Sequence, residues 1–362
     1  MTSRRAIILG AAGLVTGGGT NRLWAAETAM TYSDAERTTW APIDPAGGLK
    51  ELVRAATLAA NNHNVQPWTF RIEERRITIM PDMARRLAVV DPDDHHLFVS
   101  LGCATQNVVQ AAGALGLKAL PKFDLTSGTV TIVLEPTVAA TSDLTKAISA
   151  RQSSRCLYDG KPVAAGLLKA LADAGGGEGH ELLLLTDQQK IDATRDYIIQ
   201  GNTAQIADRA FVKELKSWLR FNESEALATR DGLFSGAAGS MQLPSWIAPM
   251  AFDLFFSASS ENDKYAKQIA SSAGIAVFAS ARNDKAQWVD VGRAVQRFSL
   301  TATALGLRLA FLNQPVEVAS IRPQFAAFLG IGTRRPDIVM RFGSGGPDMP
   351  RSLRRAVEQV IL

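Results

Sequence analysis

The sequence predicts an α+β fold assembled from two duplicated halves, and three observations carry that reading. Residues 100–118 (SLGCATQNVVQAAGALGLK) align without gaps on 290–308 (DVGRAVQRFSLTATALGLR), with 8 of 19 positions identical, among them Gly102/Gly292 and Gln106/Gln296. Both copies have the apolar spacing of a long buried helix: in the second, Trp288, Val291, Val295, Phe298, Ala302 and Leu305 share one face. Both stop at Leu-Gly-Leu (115–117 and 305–307), where glycine can take the left-handed C-cap. Short apolar runs bounded by turn residues are interleaved with these helices. They predict strands pairing within and between the halves, with helices on both faces.

The elements follow in order. Residues 1–26 read as an export signal, because Ser3-Arg4-Arg5 precedes a short apolar run ending near Val15. That run is too short for a permanent membrane span, and cleavage at Ala25 or Ala26 fits. Residues 27–44 are a polar leader. The first half, 45–140, opens with the amphipathic helix Leu49–Ala59, followed by an amide-rich loop. A hairpin comes next (Trp68–Ile72, the charged turn Glu73–Arg76, Ile77–Met80), then the helix 97–115 and strands near 118–125 and 129–135. The second half, 141–362, places helices at 141–150 and 164–174, the strand Glu181–Leu185, and helices through about 220. The strand Gly274–Ala279, the helix 285–305, and strands Arg308–Leu312 and Asp337–Phe342 complete it. Residues 208–262 read as an insertion rich in Met, Trp and Phe, suited to a lid over a substrate pocket.

Composition narrows the function. The chain has 362 residues, 46% of them apolar, enough for a sizeable core. Its +4 charge drops to about +1 once the signal is removed, since Lys and Arg then number 36 against 35 acidic residues. No basic stripe interleaved with aromatics remains, so a nucleic-acid partner is not expected. Cys103 and Cys156 read as buried free thiols. Histidines 63, 95, 96 and 180 have no metal-ligand spacing, so no metal is expected, and Asp91–His96 reads as a solvated turn capping the next helix.

Four segments carry chemistry. Asn61-Asn62-His63-Asn64-Val65-Gln66 gathers amides and an imidazole, groups that offer donors and acceptors to the edge of a flat heterocycle. Pro67 after it pushes Gln66 out of the helical region and turns the loop into a strand. Arg151-Gln152-Ser153-Ser154-Arg155 supplies guanidinium forks and hydroxyls suited to a phosphate and a polyol chain. The comparable loop of each half lacks what the other has, which argues for one composite site. Arg351, Arg354 and Arg355 gather more positive charge near the C-terminus, and Asn313-Gln314-Pro315-Val316-Glu317 follows the second repeat helix.

Ala60–Trp68 resembles the Ser-Ser-x-Asn-x-Gln-Pro-Trp segment of the FMN-dependent nitroreductase superfamily, with Asn61 and Asn62 replacing the serines and Asn64, Gln66, Pro67 and Trp68 matching. Its setting, Leu52–Leu58 before it and Asp91 to Asn107 after it, resembles the single-chain Acg-like branch. The resemblance covers about residues 45–362. It implies a three-layer α-β-α fold, a monomer that is an internal pseudo-dimer, and one FMN. Arg151-Gln152-Ser153-Ser154-Arg155 is similar to the superfamily's Arg-Arg-Ser-x-Arg motif, with Gln152 in place of a frequent Arg. It implies that Arg151 and Ser153 hold phosphate and ribityl oxygens, while Arg155 stabilises the reduced ring at its N1/O2 edge. Arg351, Arg354 and Arg355 would grip the phosphate. Pro315, Val316 and Glu317 would present a backbone N–H to flavin N5, without the Glu317 side chain acting as acid or base. The implied functions are two: an exported, periplasmic oxidoreductase acting on a small organic substrate, or a protein that sequesters FMN without turnover. Twin-arginine export, which carries folded cofactor proteins, agrees with either.

Overall fold

In the computed structural model the two repeat copies become the long helices His95–Ala112 and Lys285–Ala304, and they pack on each other. Their crossing point is the repeat-equivalent pair Gly102 and Gly292. A Cβ added at Gly102 would sit 2.9 Å from the Gly292 Cα, and one at Gly292 would sit 3.0 Å from the Gly102 Cα. The reciprocal close approach explains why both positions are glycine. Next to it, the Cys103 thiol donates to the Gly292 carbonyl (3.2 Å), and Gln296 Nε2 donates to Asn107 Oδ1 (2.7 Å). The structure describes residues 30–362, so the export signal expected at 1–26 lies outside the described residues.

Four strands of the first half, β1 (Trp68–Glu73), β2 (Arg76–Pro81), β3 (Leu117–Asp124) and β4 (Thr129–Pro136), form an antiparallel sheet in the order β1-β2-β4-β3. In the second half come β5 (His180–Leu185), the short parallel pair β6 (Leu219–Arg220) and β7 (Leu233–Phe234), then β8 (Gly274–Ser280), β9 (Arg308–Phe311) and β10 (Arg335–Gly343). The second sheet is antiparallel with the order β5-β8-β10-β9. Predicted elements recur within a few residues.

Three expectations need correction. Strands pair within each half rather than between halves; among the described residues the link across is a bridge at Phe70 and Ile361, where the Phe70 N–H donates to the Val360 carbonyl (2.7 Å). Helices cover both faces of the second sheet only. There Phe278 and Met340 face the long helices, while Ile275, Val277 and Val339 pack on Ile191, Ile198 and Phe325. The outer face of the first sheet exposes Lys118, Leu120, Lys122 and Asp124. Finally, part of the leader is folded. Tyr32–Thr39 is a helix burying Tyr32, Ala35 and Thr39 on one face, and the Tyr32 hydroxyl donates to the Arg351 carbonyl (2.6 Å).

Candidate functional site

The amide loop begins where the helix Gly48–Thr57 ends, and two arginines from distant segments close that end. Arg354 Nε donates to the Thr57 carbonyl (2.7 Å) and Arg151 Nη2 to the Leu58 carbonyl (3.0 Å). Cations at a helix C-terminus meet the negative end of the dipole and satisfy its free carbonyls. Both guanidiniums are buried, and no carboxylate among the described residues lies within ion-pair distance of either. Burial lowers Arg151 to about 10 and Arg354 to about 9.

Beyond the helix the loop bends sharply. His63, Asn64 and Gln66 have φ of 45, 53 and 54°, in the left-handed region that non-glycine residues rarely occupy. Gln66 therefore avoids the right-handed region before Pro67, as expected, but by turning left-handed rather than extended. Its neighbours hold it there. Gln66 N–H donates to Asn61 Oδ1 (2.8 Å), Gln66 Nε2 to the Arg230 carbonyl (2.9 Å), and the Arg355 N–H to Gln66 Oε1 (2.9 Å). Asn64 Nδ2 donates to the Gly232 and Leu353 carbonyls (3.0 and 3.1 Å). Asn64 and Gln66 thus tether the loop, while Asn61, Asn62 and His63 face a chamber.

That chamber has a volume of about 720 Å³. Its polar lining includes Asn61, Asn62, His63, Arg155, Gln314 and Glu317; its apolar lining includes Phe211, Phe221, Leu233, Ile247, Phe252 and Phe256 from the 208–262 segment. Phe252 and Phe256 stack at 4.4 Å. The same segment also exposes Trp246, Met250 and Leu254. In the polar lining several buried atoms have no hydrogen-bond partner: Asn62 Nδ2, His63 Nδ1 and Gln314 Oε1. Ser153 Oγ and Arg151 Nε, outside that lining, are in the same state. The Arg155 side chain likewise has no hydrogen bond or ion pair among the described residues, and burial lowers its pKa. His63 falls to about 4, through burial first and then the charges of Arg155 and His96, so it is a neutral imidazole.

Of the residues singled out from sequence, Asn61, Asn62, His63, Arg155 and Glu317 meet at this chamber. Arg151 and Arg354 cap the helix behind it, and Arg355 supports Gln66. Arg351 donates to the Ser149 carbonyl and stacks on Trp40 (5.6 Å). Gln152 donates to the Met349 and Pro350 carbonyls (both 2.9 Å). Pro315 and Val316 are buried in the helical turn Gln314–Glu317. One expectation fails there: the N–H groups of Val316 and Glu317 both donate to the Asn313 carbonyl (2.9 Å each), so neither faces the chamber with a free donor.

The Asp91–His96 turn also differs from expectation. It does cap the helix, since Asp91 accepts from the His96 and Leu97 N–H groups (3.0 and 2.9 Å), but Asp91, His95 and His96 are buried while Pro92 and Asp93 stay exposed. His95 Nε2 lies 2.9 Å from Asp337 Oδ1, and His96 lines the chamber beside Glu317. Ligand-type atoms of Asp91, His95 and His96 fall within 4.8 Å of one another. Their bonds describe a helix cap and an imidazole–carboxyl pair. Burial is the first cause throughout: it lifts Asp91 to about 6, Asp337 to about 7 and Glu317 upward, and lowers both histidines.

Over 328 residues, 86% of this chain and 90% of the relative, the chain is 26% identical to "Putative NAD(P)H nitroreductase Rv3131" of Mycobacterium tuberculosis (strain ATCC 25618 / H37Rv). The same values hold for "Putative NAD(P)H nitroreductase MT3217" of the CDC 1551 / Oshkosh strain. Its curated relatives carry the name nitroreductase. No protein-family model matches the chain. Among solved structures, the FMN-dependent nitroreductase NfnB of Mycobacterium smegmatis in complex with NADPH aligns at 14% identity with a TM-score of 0.40, covering 60% of this chain and 96% of that one. A Bacteroides fragilis nitroreductase with bound FMN aligns at 17% identity and 0.36, covering 57% and 90%.

Sequence reasoning missed several chamber residues. His96 is brought in because it and His95 reach Asp337 on β10. Gln205, Lys264, Tyr265 and Gln268 come from the helices Gln188–Ala207 and Ala258–Ala270. Their signal was present but weak: a glutamine and a tyrosine on the apolar sides of otherwise charged helices.

Proposed function

We propose that the chain is an FMN-dependent oxidoreductase of the nitroreductase type, holding one flavin per chain and acting on a small organic substrate. The observation that carries this is the mixed lining of one chamber. Asn62, His63 and Gln314 line it and hold buried donors or acceptors without a protein partner, and phenylalanines and leucines of the 208–262 segment line it too. A planar heterocycle with polar edges and apolar faces fits that lining, because isolated buried polar atoms cost about 1–3 kcal/mol each. The buried guanidiniums of Arg151 and Arg354 retain positive charge, since a helix end offers only about half a negative charge. That suits a phosphate.

The residues that would hold the group are Asn61, Asn62, His63 and Gln314 along the ring edges, Arg155 beside its anionic edge, and Arg151, Ser153 and the C-terminal arginines toward the phosphate. When bound, FMN supplies two-electron transfer between an organic donor and an organic acceptor. The chain's own contributions are positional and electrostatic: Arg155 favours negative charge next to it, and the 208–262 segment keeps water from the chamber as a lid. The reciprocal Gly102/Gly292 crossing and the two four-stranded sheets support an internally duplicated, monomeric pseudo-dimer of the Acg-like kind. Asn61–Gln66 from one half and Arg155 with Gln314 from the other would form its single composite site. Arg4-Arg5 and the apolar run after them support twin-arginine export to the periplasm; fractionation of cells making an Arg4→Lys/Arg5→Lys variant should find the protein retained inside.

Anaerobic mixing of the FMN-loaded protein with NADH, NADPH and dihydroquinones, followed by a nitroaromatic acceptor, tests the enzymatic reading. Bleaching of the flavin and its recovery on adding acceptor are expected. A flavin that no donor reduces would make the protein a sequestering one instead.

A further inference from the structure

The catalytic wall of the chamber holds a buried acid–base pair that a purely positional account of Glu317 leaves unused. Glu317 ends the turn Gln314–Glu317, and both it and His96 line the chamber. Gln205 Nε2 donates to Glu317 Oε2 (2.7 Å), which fixes the carboxyl plane. The other oxygen, Oε1, lies 3.7 Å from His96 Nδ1. His96 Nε2 faces the Asp337 carbonyl (3.4 Å), which assigns the ring proton to Nε2 and leaves Nδ1 as a lone pair. Nδ1 is buried without a partner, and Asp91 Oδ1 stands 3.9 Å from it.

A lone pair facing two carboxyl groups in a buried site needs a proton on one of the three. Asp91 cannot readily take it, because both its oxygens accept backbone N–H groups at the helix start. Glu317 has only one oxygen so engaged. We propose that the Glu317 side chain is a general acid for the reaction in this chamber, holding a proton on Oε1 and donating it to the substrate, with His96 restoring it from solvent. This rests on the oxidoreductase reading above.

The surroundings agree. Around Glu317 and His96 stand Asp91 and His95 at the head of the first long helix, His63 on the amide loop, Gln205 on the helix Gln188–Ala207 and Tyr265 on the helix Ala258–Ala270. Asp337 and Arg335 belong to β10, Arg322 to the helix Arg322–Leu329, and Asp93 to the turn. Burial pushes Glu317 above the usual carboxylate range, opposed first by the charge of His96, and the same burial holds His96 down. Both shifts lean the same way as the geometry, toward a neutral pair with the proton on the carboxyl, and a carboxyl kept neutral can donate. Bound FMN would supply the hydride equivalent that an electron-poor carbonyl, quinone or nitroso group needs; Glu317 would supply the proton. The Glu317 Oε1–H bond breaks, and the new O–H or N–H bond forms on the substrate. The carboxylate left behind keeps its bond from Gln205 and is reprotonated by a solvent proton passing through His96 Nδ1.

The test has two readouts on wild type, Glu317→Gln and Glu317→Asp, each first checked for an unchanged melting temperature. Infrared difference spectroscopy of the flavin-free protein at neutral pH reads the proton directly. A carboxylic-acid carbonyl band present in wild type and missing in Glu317→Gln is expected; its absence from wild type overturns the proposal. In the FMN-loaded protein, acceptor reduction should slow about 10²–10⁴-fold in Glu317→Gln, with the fall at rising pH abolished and flavin content unchanged. Glu317→Asp should recover part of the rate. A Glu317→Gln protein that reduces the acceptor at the wild-type rate overturns the proposal even if the band is present. If the wild type takes up no flavin, the oxidoreductase reading falls and the acid's use in it falls too, while the infrared band still reports the proton.

Discussion

The helix crossing can be tested by filling it. Replacing Gly102 with alanine places a methyl group 2.9 Å from the Gly292 Cα and well inside contact distance of the Val289 carbonyl oxygen. Ordinary contact lies at about 3.5–4.0 Å and the carbonyl clash is the closer of the two, so the helices must separate by roughly 1 Å or more. A gap of that size forfeits about a quarter to a half of the dispersion energy of each facing contact, and a buried aliphatic side chain makes about 40–60 contacts of about 0.1 kcal/mol. With about half of those contacts facing the crossing, two or three side chains lose about 1–4 kcal/mol together, which spans ordinary overpacking. The assay is urea unfolding followed by tryptophan fluorescence, with the melting temperature falling by about 2 °C per kcal/mol for a chain this long. Gly292→Ala should cost about the same, because its Cβ would meet the Val99 carbonyl and the Gly102 Cα in mirror fashion. The double variant should cost less than the sum, since one separation relieves both clashes. Gly166→Ala is the control: nothing lies within 4 Å of its added Cβ, and it should be neutral or stabilising by up to about 1 kcal/mol. A Gly102→Ala protein within about 0.5 kcal/mol of wild type would refute the reciprocal crossing.

Three further outcomes follow from the site. Arg155→Met should weaken FMN binding at least tenfold, about 1.4 kcal/mol or more, in a fluorescence-quenching titration. The flavin-free variant should melt as wild type, because the side chain has no partner to lose among the described residues. Burial lifts Asp337 to about 7, above its unfolded value near 4. Its stabilising contribution is therefore fully present below about pH 4 and lost as pH rises through 7. Unfolding measured from pH 4 to 7 should show the gap between wild type and Asp337→Asn narrowing, and a widening gap would contradict this. Burial pushes the Cys103 thiol up to about 12, so a thiol reagent at pH 8 should label it only after unfolding, and native labelling within minutes would contradict its placement.

Much of the fold was legible because its signals are local. The 19-residue repeat, the shared Leu-Gly-Leu stops and the Glu73–Arg76 turn each act over a few residues, and the hairpin and both long helices stand where they were expected. The chamber's amide wall was legible for the same reason, since Asn61, Asn62 and His63 are adjacent in sequence. What was not legible depends on partners far along the chain. His95 and His96 look solvated beside Asp91, Asp93 and Asp94 until β10 brings Asp337 against them, 242 residues away. Arg151 and Arg354 look solvent-exposed until the helix end at Thr57–Ala59 supplies acceptors that bury them. The leader helix is polar on average, and only its contact with the C-terminal segment shows which face is buried. The outer face of the first sheet follows the same logic: alternation in β3 marks one solvated side, a local signal that the overall two-faced expectation overrode.

The central claim is one composite flavin site per chain. The measurement that tests it most directly is the visible absorption spectrum of purified protein after incubation with excess FMN and gel filtration, with flavin and chain counted in the same fractions. Two flavin bands at about one FMN per chain are expected, falling together when Arg155 is replaced. A colourless protein would remove the flavin from the account, and two FMN per chain would contradict a single site shared by the two halves.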